Sequence, residues 1–385
     1  CCPFHQEKTP SFSVNQERQF YYCFGCGAGG NAIGFIMDFD KVDFPIAVET
    51  LAKDAGLEVP HEESRNQQRK TRIDTSLYDV LSDANNYYQA QLRKHPQKQA
   101  VVNYLKTRGL TGKVAAKFSI GFAPPGWQNL LKELGTDNNK QKLLLDAGLI
   151  LERNKDKSQS KSQSHGSEYD FYDRFRDRIM FPIRDSRGRV IAFGGRVLGD
   201  EKPKYLNSPE TAVFQKSSEL YGLYELKQSR DKFNKIILVE GYMDVIALSQ
   251  MGVKNTVATL GTATNVRHLN KIFKQVSELV FCFDGDEAGS KAAWRALEVA
   301  LPLMQDGRQI KFLFLPNGED PDTYVRSIGQ VQFLKKVNTA TPLEDFLFEH
   351  LSADLDTTTG EGKARLSSLA KTHLNKIPDG IYSRL

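Results

Sequence analysis

Between residues 235 and 315 the sequence alternates short apolar runs with stretches of helical period, and this alternation constrains the fold more than any other feature. Residues 236–239, 256–260, 279–283 and 310–315 read as strands, and residues 243–251, 266–276 and 288–304 read as helices. Strands that are apolar along their whole length, interleaved with helices, predict a parallel sheet covered on both faces. In such a sheet the turns that follow the strands collect at one edge, the carboxyl edge, where ligands bind. No internal repeat and no Walker-type phosphate loop is present.

That edge is rich in acid. Glu240 follows the first strand directly and precedes Gly241, Asp284 and Asp286 follow the third strand around Gly285, and Asp320 and Asp322 flank Pro321 after the fourth. The topology therefore predicts five carboxylates from three strands in one place. Closely packed like charges raise one another's pKa, so the set is stable mainly when cations neutralise it. Oxygen-only ligands suit Mg²⁺ or Mn²⁺, and two such ions can hold both the attacking and the leaving oxygen of a phosphoryl displacement. The plainer alternative is that Asp286 caps the following helix and the other acids are solvated loop residues.

A second chemistry sits at the other end of the chain. Four of the five cysteines fall within the first 26 residues, a crowding that describes a metal site in a reducing compartment, the cytoplasm, rather than a disulfide framework. Cys2-Pro3-Phe4-His5 and Cys23-Phe24-Gly25-Cys26 are two ligand pairs with two-residue spacers. One His with three Cys suits a single structural zinc ion held by Cys2, His5, Cys23 and Cys26. Cys1 could take the place of Cys2, although the spacing favours Cys2. Phe12, Phe20, Tyr21, Tyr22 and Phe24 lie among Lys8, Arg18 and Gln19. Aromatic and basic groups so mixed can bind a single strand, or the rings can form the core of a small zinc unit. Lys8, Arg18 and Tyr21 are the candidates for the former.

At 385 residues the chain is long enough for two to four folded units. A charged fraction of 26% beside 40% hydrophobic residues is that of a soluble globular protein, and a net charge of +5 fits a polyanionic partner without requiring one. No signal peptide is expected, and no apolar run reaches the roughly 18 residues that a membrane span needs. Three compositional breaks divide the sequence. The polar run 61–70 reads as a linker or the exposed start of a helix, residues 153–167 read as a mobile loop, and the pattern turns helical after residues 316–322. Residues 76–107 and 127–150 have helical spacing, and residues 178–198 read as short strands around a Ser186-Arg187-Gly188 turn.

Two sets of motifs match known families. Val239-Glu240-Gly241-Tyr242-Met243-Asp244-Val245 with Phe283-Asp284-Gly285-Asp286-Glu287-Ala288-Gly289 resembles the Toprim fold of primases, topoisomerases and some nucleases. The Cys2–His5 segment with Glu7-Lys8-Thr9-Pro10-Ser11-Phe12, and Cys23-Phe24-Gly25-Cys26-Gly27, resemble the zinc ribbon of bacterial DnaG-type primases. So do Arg174-Phe175-Arg176 with Met180-Phe181-Pro182-Ile183, the 188–196 segment, and Lys204-Tyr205-Leu206-Asn207-Ser208-Pro209-Glu210-Thr211.

The resemblance implies a multidomain α+β chain: a zinc ribbon (1–60), a linker (61–75), a mixed α/β subdomain (76–234), a Toprim parallel-sheet subdomain (235–325) and a C-terminal helical segment (326–385). It implies a DNA primase that makes short RNA primers on single-stranded DNA from ribonucleoside triphosphates, with one structural Zn²⁺ and two or more Mg²⁺ or Mn²⁺. Glu240, Asp284 and Asp286 would be catalytic, and Glu240, Asp284, Asp286, Asp320, Asp322 and Asp244 would surround the ions. Arg174, Arg176, Arg196, Lys204, Tyr205, Asn207 and Lys216 would contact template or nucleotide; Lys and Arg there suit phosphate binding. Arg178 and Arg184, set in apolar strand text, could instead be paired structurally. The implied partners are single-stranded DNA, the triphosphates, a single-stranded DNA-binding protein, and the replicative helicase through a C-terminal domain expected to lie outside this chain. No membrane association is expected, and the chain is expected to be a monomer. A Toprim nuclease or topoisomerase, or a non-catalytic zinc-ribbon DNA-binding protein, is the alternative.

Overall fold

The computed structural model describes residues 1–7, 9–40, 42–55, 57, 65–153, 170–199, 201–229 and 231–380, with side chains from residue 75 onward in the helix that begins at residue 65. Most of the anticipated 153–167 loop, residues 61–64 of the polar run and Lys8 lie outside these residues. The chain forms two compact units, Cys1–Arg69 and Lys70–Leu385.

The first unit is a three-stranded antiparallel sheet of β1 (Phe12–Asn15), β2 (Phe20–Cys23) and β3 (Gly29–Gly30), followed by α1 (Ala32–Phe39) and α2 (Phe44–Asp54). So small a sheet has little apolar area of its own, and aromatic rings supply it. Phe4, Phe12, Tyr21 and Phe35 pack with ring centroids 5.3–6.3 Å apart. Tyr21 is only 5% exposed, so the suggestion that it meets nucleic acid is corrected: its ring is core. Phe20, Tyr22, Phe24 and Arg18 face solvent.

The polar run past Pro60 is helical from its fifth residue, at the start of α3 (Arg65–Lys94). The helices α4 (Lys98–Thr107) and α5 (Gly112–Lys117) follow. Strand β4 (Gly121–Ala123) leads into α6 (Asn129–Leu134), α7 (Asn138–Asp146) and β5 (Ile150–Glu152). After β6 (Phe171–Asp173) come β7 (Arg178–Arg184), β8 (Val190–Val197), β9 (Tyr205–Asn207) and α8 (Leu223–Lys227). Strands β4-β7-β8-β9 form an antiparallel sheet, with β5 and β6 paired separately. The Ser186–Gly188 turn joins β7 to β8 where the sequence placed it, and Arg184 is paired, 2.8 Å from the Glu225 carboxylate.

The parallel sheet then builds up from β10 (Lys235–Val239), α9 (Tyr242–Gln250), β11 (Thr256–Ala258), α10 (Val266–Phe273), β12 (Glu278–Phe283), α11 (Glu287–Ala300) and β13 (Gln309–Phe314). The strand order is β11-β10-β12-β13, all parallel. After α12 (Pro321–Asn338), the two-residue β14 (Thr341–Pro342) adds an antiparallel edge beside β13, which the sequence reading did not anticipate. α13 (Leu343–Ser352) and α14 (Gly360–Leu374) complete the described chain.

Side chains of a strand alternate between faces, and here the alternation separates two cores. Ile237, Val239, Val280 and Cys282 join the core with α9, α12 and the antiparallel sheet (Ile179, Phe181). Ile236, Leu238, Leu279 and Phe281 join the core with α10 and α11 (Leu269, Leu297). Every strand of the parallel sheet is thus covered on both faces, which is why it reads as an uninterrupted apolar run. Among the described residues no helix is long and apolar enough to cross a membrane.

Candidate functional site

Glu240, Asp284, Asp286, Asp320 and Asp322 all stand just beyond the carboxyl ends of β10, β12 and β13, as the topology required. Gly285 explains how close the neighbouring turns come: a Cβ there would lie 2.0 Å from the Leu315 carbonyl oxygen, so only glycine lets the β12 turn press against the end of β13. Asp286 caps α11, accepting from the Gly289 N–H at 2.7 Å, so the capping alternative is real for this residue. Asp320 caps α12 in the same way, with Thr323 N–H at 2.7 Å. Asp244, in the first turn of α9, accepts from the Gly241 N–H at 3.1 Å. Glu240 and Asp284 accept no hydrogen bond from any described residue.

The acids share one electrostatic environment. Burial, then Glu240, Asp320 and Asp286, push the Asp284 carboxyl up to about 6. Burial, then Asp320, Asp284 and Asp322, push Asp244 up to about 8. Glu240 is raised by burial and by Asp286, with Arg295 opposing. Burial and mutual repulsion thus raise Glu240, Asp244 and Asp284, and a cluster of this kind is one that divalent cations would discharge.

Asp322 differs from the other five. It is 1% exposed and is flanked by two arginines, with Arg326 Nε at 2.9 Å and Arg108 Nη1 at 3.3 Å. Its carboxyl is raised by burial, and both arginines work against that rise. Sequence reasoning found neither arginine. The i,i+4 spacing from Asp322 could have revealed Arg326, whereas Arg108 lies 214 residues away in the chain.

The basic residues divide into groups. Asn207 donates to the Leu260 carbonyl at 2.9 Å and accepts from the Tyr242 hydroxyl at 2.5 Å, which ties β9 to the parallel sheet. Arg174 donates to the Asn207 carbonyl at 3.0 Å. Arg196 is 6% exposed, with its guanidinium 5.2 Å from the Tyr104 ring and 5.1 Å from the Tyr205 ring. The Tyr205 hydroxyl is pushed up to about 12 chiefly by burial, and Asp244 adds to this, so this group borders the acidic cluster. Lys204 is exposed, and Lys216 is half-buried in a turn that receives His268. Arg176 stands apart, stacked 4.4 Å from Trp127 and 5.3 Å from Tyr172. Trp127 is 55% exposed, a platform that sequence reasoning missed because its members are distant in the chain.

In the first unit, Cys2, His5, Cys23 and Cys26 place their ligand atoms within 4.8 Å of one another. Cys2 Sγ to Cys26 Sγ is 3.8 Å and Cys23 Sγ to His5 Nδ1 is 3.7 Å. A tetrahedron with Zn–S bonds of about 2.3 Å has edges of about 3.8 Å, so the donor set fits zinc in both chemistry and size. Cys1 is exposed and outside the cluster. Glu7 braces the site: its carboxylate accepts from the Cys2 N–H at 2.6 Å and lies 3.4 Å from His5 Nε2. That contact leaves Nδ1 to face the sulfurs, the usual way an outer carboxylate fixes a ligating imidazole.

Comparison with known proteins follows the same division. Residues 1–67 match the family described as CHC2 zinc finger, 87–227 the DNA primase catalytic core N-terminal domain, and 234–314 the Toprim domain. The chain is 57% identical over 380 residues to a DNA primase of Pseudomonas putida and 50% identical over 379 residues to that of Escherichia coli K12. Each alignment covers 98% of this chain, but the chain spans only 56% and 63% of those relatives. A solved DnaG primase catalytic domain bound to single-stranded DNA superposes with a TM-score of 0.73 at 47% identity, covering 82% of this chain and 98% of that one.

The chain belongs to the bacterial DnaG-type primase family.

Its two-unit extent is matched by the zinc-binding and RNA-polymerase domains of the Aquifex aeolicus primase, with a TM-score of 0.64 and 33% identity over 99% of this chain and 86% of that one. One expectation is corrected here. Residues 344–385 match the family described as DnaB-helicase binding domain of primase, so the primase region expected wholly outside the chain has a counterpart within it.

Proposed function

We propose that this chain is the primer-synthesising portion of a bacterial primase, joining ribonucleotides on a single-stranded DNA template at the acidic edge of the parallel sheet. The observation that carries this reading is the group of six mutually repelling carboxylates at three strand ends, two of which, Glu240 and Asp284, have no hydrogen-bond partner among the described residues. Glu240, Asp284 and Asp286 act at the reacting atoms, and Asp244, Asp320 and Asp322 complete a site for two or more Mg²⁺ or Mn²⁺. When bound, these ions would make the attacking hydroxyl more acidic and neutralise the departing pyrophosphate. The 3′-hydroxyl oxygen of one ribonucleotide bonds to the α-phosphorus of the next triphosphate. The bond from that phosphorus to the bridging oxygen breaks, pyrophosphate leaves, and the hydroxyl proton passes to a carboxylate of the cluster.

Arg174, Arg196, Lys204, Tyr205, Asn207 and Lys216 supply cations and hydrogen-bond donors suited to template and triphosphate oxygens, and Tyr205 adjoins the cluster through Asp244. The exposed Trp127 under Arg176 is suited to stacking the bases of a single strand. The zinc unit assists selection of the start site. The helicase is contacted through residues that include 344–385, and a single-stranded DNA-binding protein is a further partner. The protein works as a monomer in the cytoplasm.

The test is incubation of the zinc-loaded chain with single-stranded DNA, four ribonucleoside triphosphates and Mg²⁺. Template-dependent RNA oligomers are expected. Cleavage of the DNA without RNA would favour a Toprim nuclease, and binding with neither reaction a non-catalytic zinc-ribbon protein.

A further inference from the structure

On the α10/α11 face of the parallel sheet, opposite the face that carries α9 and the antiparallel sheet, a cavity of about 350 Å³ opens beside Glu240. Strand alternation puts it there: Glu240 continues the parity of Ile236 and Leu238, which point to this face. Its walls carry Thr259, Thr262 and Thr264 from the β11–α10 loop and Arg295 from α11, over an apolar floor that includes Phe283. Gly261 turns this loop at φ +72°, a conformation natural to glycine.

One of these groups lacks a partner among the described residues, and another leaves most of its donors open. The Thr262 hydroxyl oxygen is buried and makes no hydrogen bond. A buried hydroxyl left unsatisfied is costly and marks a place where a ligand or water completes the site. Arg295 is exposed, donates only through Nε to the Lys291 carbonyl at 3.2 Å, and forms no ion pair among the described residues. A guanidinium with its Nη donors open, three hydroxyls and a carboxylate around an apolar floor suit a sugar phosphate: Arg for the phosphate, hydroxyls and carboxylate for the sugar. At about 350 Å³ the space is at the small end of ligand pockets, enough for a ribose phosphate while the base stays outside.

We propose that this cavity seats the ribonucleotide that donates the 3′-hydroxyl, with its 5′-phosphate on Arg295 and its ribose among Thr259, Thr262 and Thr264. The inference rests on the primer-synthesis reading, in which two nucleotides must meet across the acidic cluster. The Arg196 and Tyr205 group borders that cluster from the other face and would serve the incoming triphosphate. Glu240 would then stand between the two, beside the donor hydroxyl.

The test measures dinucleotide synthesis on a defined template, varying the first and second nucleotide separately. Arg295→Ala is expected to raise KM for the first nucleotide about tenfold or more, the loss of one charge-assisted contact, with KM for the second unchanged. Arg295→Lys should recover part of this, and Thr262→Val should raise the same KM a few-fold. Unchanged constants for both nucleotides, or a rise confined to the second, would overturn the assignment. Calorimetric titration with a ribonucleoside 5′-monophosphate and its 2′-deoxy counterpart separates this proposal from the one beneath it. Binding that is lost in Arg295→Ala and weaker for the deoxy compound supports the cavity even if no RNA is made, an outcome that would count against primer synthesis alone. Binding that Arg295→Ala leaves intact refutes the cavity whatever the polymerase assay gives.

Discussion

Replacing Asp284 with Asn should stabilise the metal-free protein while abolishing its activity, because the native site holds this carboxylate among others that repel it. The size follows from the rise from 3.8 to about 6. At pH 7.5 the full shift of roughly two units corresponds to about 3 kcal/mol against folding, at about 1.4 kcal/mol per unit. Asp284 is partly exposed, so solvent screening reduces this to about 1–2 kcal/mol. In a unit of this size that amounts to a rise in Tm of about 2–4 °C. The pH dependence has a definite sign. A carboxylate whose folded pKa is raised binds more protons in the native state than in the unfolded one between the two pKa values, so stability falls as pH rises through that window. The gain from Asp284→Asn should therefore shrink to about a third at pH 4.5, where most of the native carboxyl is already protonated. Differential scanning fluorimetry of both proteins in EDTA at the two pH values reads this directly. A variant that is less stable than the wild type in EDTA at pH 7.5 would show that a favourable interaction holds Asp284, and the repulsion argument would fail.

Other expectations follow from the same geometry. Divalent-ion affinity should rise with pH between about 6 and 8, with protons released on binding, because Asp284 and Asp244 titrate near 6 and 8; calorimetry with Mn²⁺ in buffers of different ionisation enthalpy would find no buffer dependence if this is wrong. Gly285→Ala should cost about 3 kcal/mol or more and remove activity, since a Cβ 2.0 Å from the Leu315 oxygen forces the two turns apart. Arg108→Ala leaves the buried Asp322 with one cation in place of two, and should lower stability by about 1–2 kcal/mol with loss of activity, partly restored in Arg108→Lys; wild-type melting and rates would dismiss the pair as incidental. Cys23→Ser should lose zinc by metal analysis while primer extension falls less than initiation. Retained stoichiometric zinc would remove this cysteine from the ligand set.

Local patterns carried a large part of this in the sequence. Strands buried on both faces must be apolar throughout, so the existence of the parallel sheet and the position of Glu240, Asp284, Asp286, Asp320 and Asp322 at its edge could be read from runs a few residues long, whereas the strand order β11-β10-β12-β13 could not. The zinc ligands were readable for a similar reason, since two-residue spacers are local geometry. Pairings between distant segments were not readable. Arg108 meets Asp322 across 214 residues, and Trp127 meets Arg176 only after β6 and the helices before it have packed. Strand β14 is two residues long and ends in Pro342, too short to leave an alternating pattern. Tyr21 looked like a surface aromatic because it sits among basic residues, yet a sheet of this size needs its ring for the core. Asp286 and Asp320 each cap a helix through Oδ1, and in the proposed site the other oxygen of each would be the one offered to a cation.

The metal claim at the centre of the proposed chemistry is tested most directly by titrating Mn²⁺ into zinc-loaded wild type and Asp284→Asn at pH 7.5, with free Mn²⁺ followed by electron paramagnetic resonance. The wild type should take up Mn²⁺ at the acidic edge, and the variant should lose at least one ion's worth of binding. Equal stoichiometry and affinity in the two proteins would place the metal elsewhere and contradict a catalytic site built from the strand-end carboxylates.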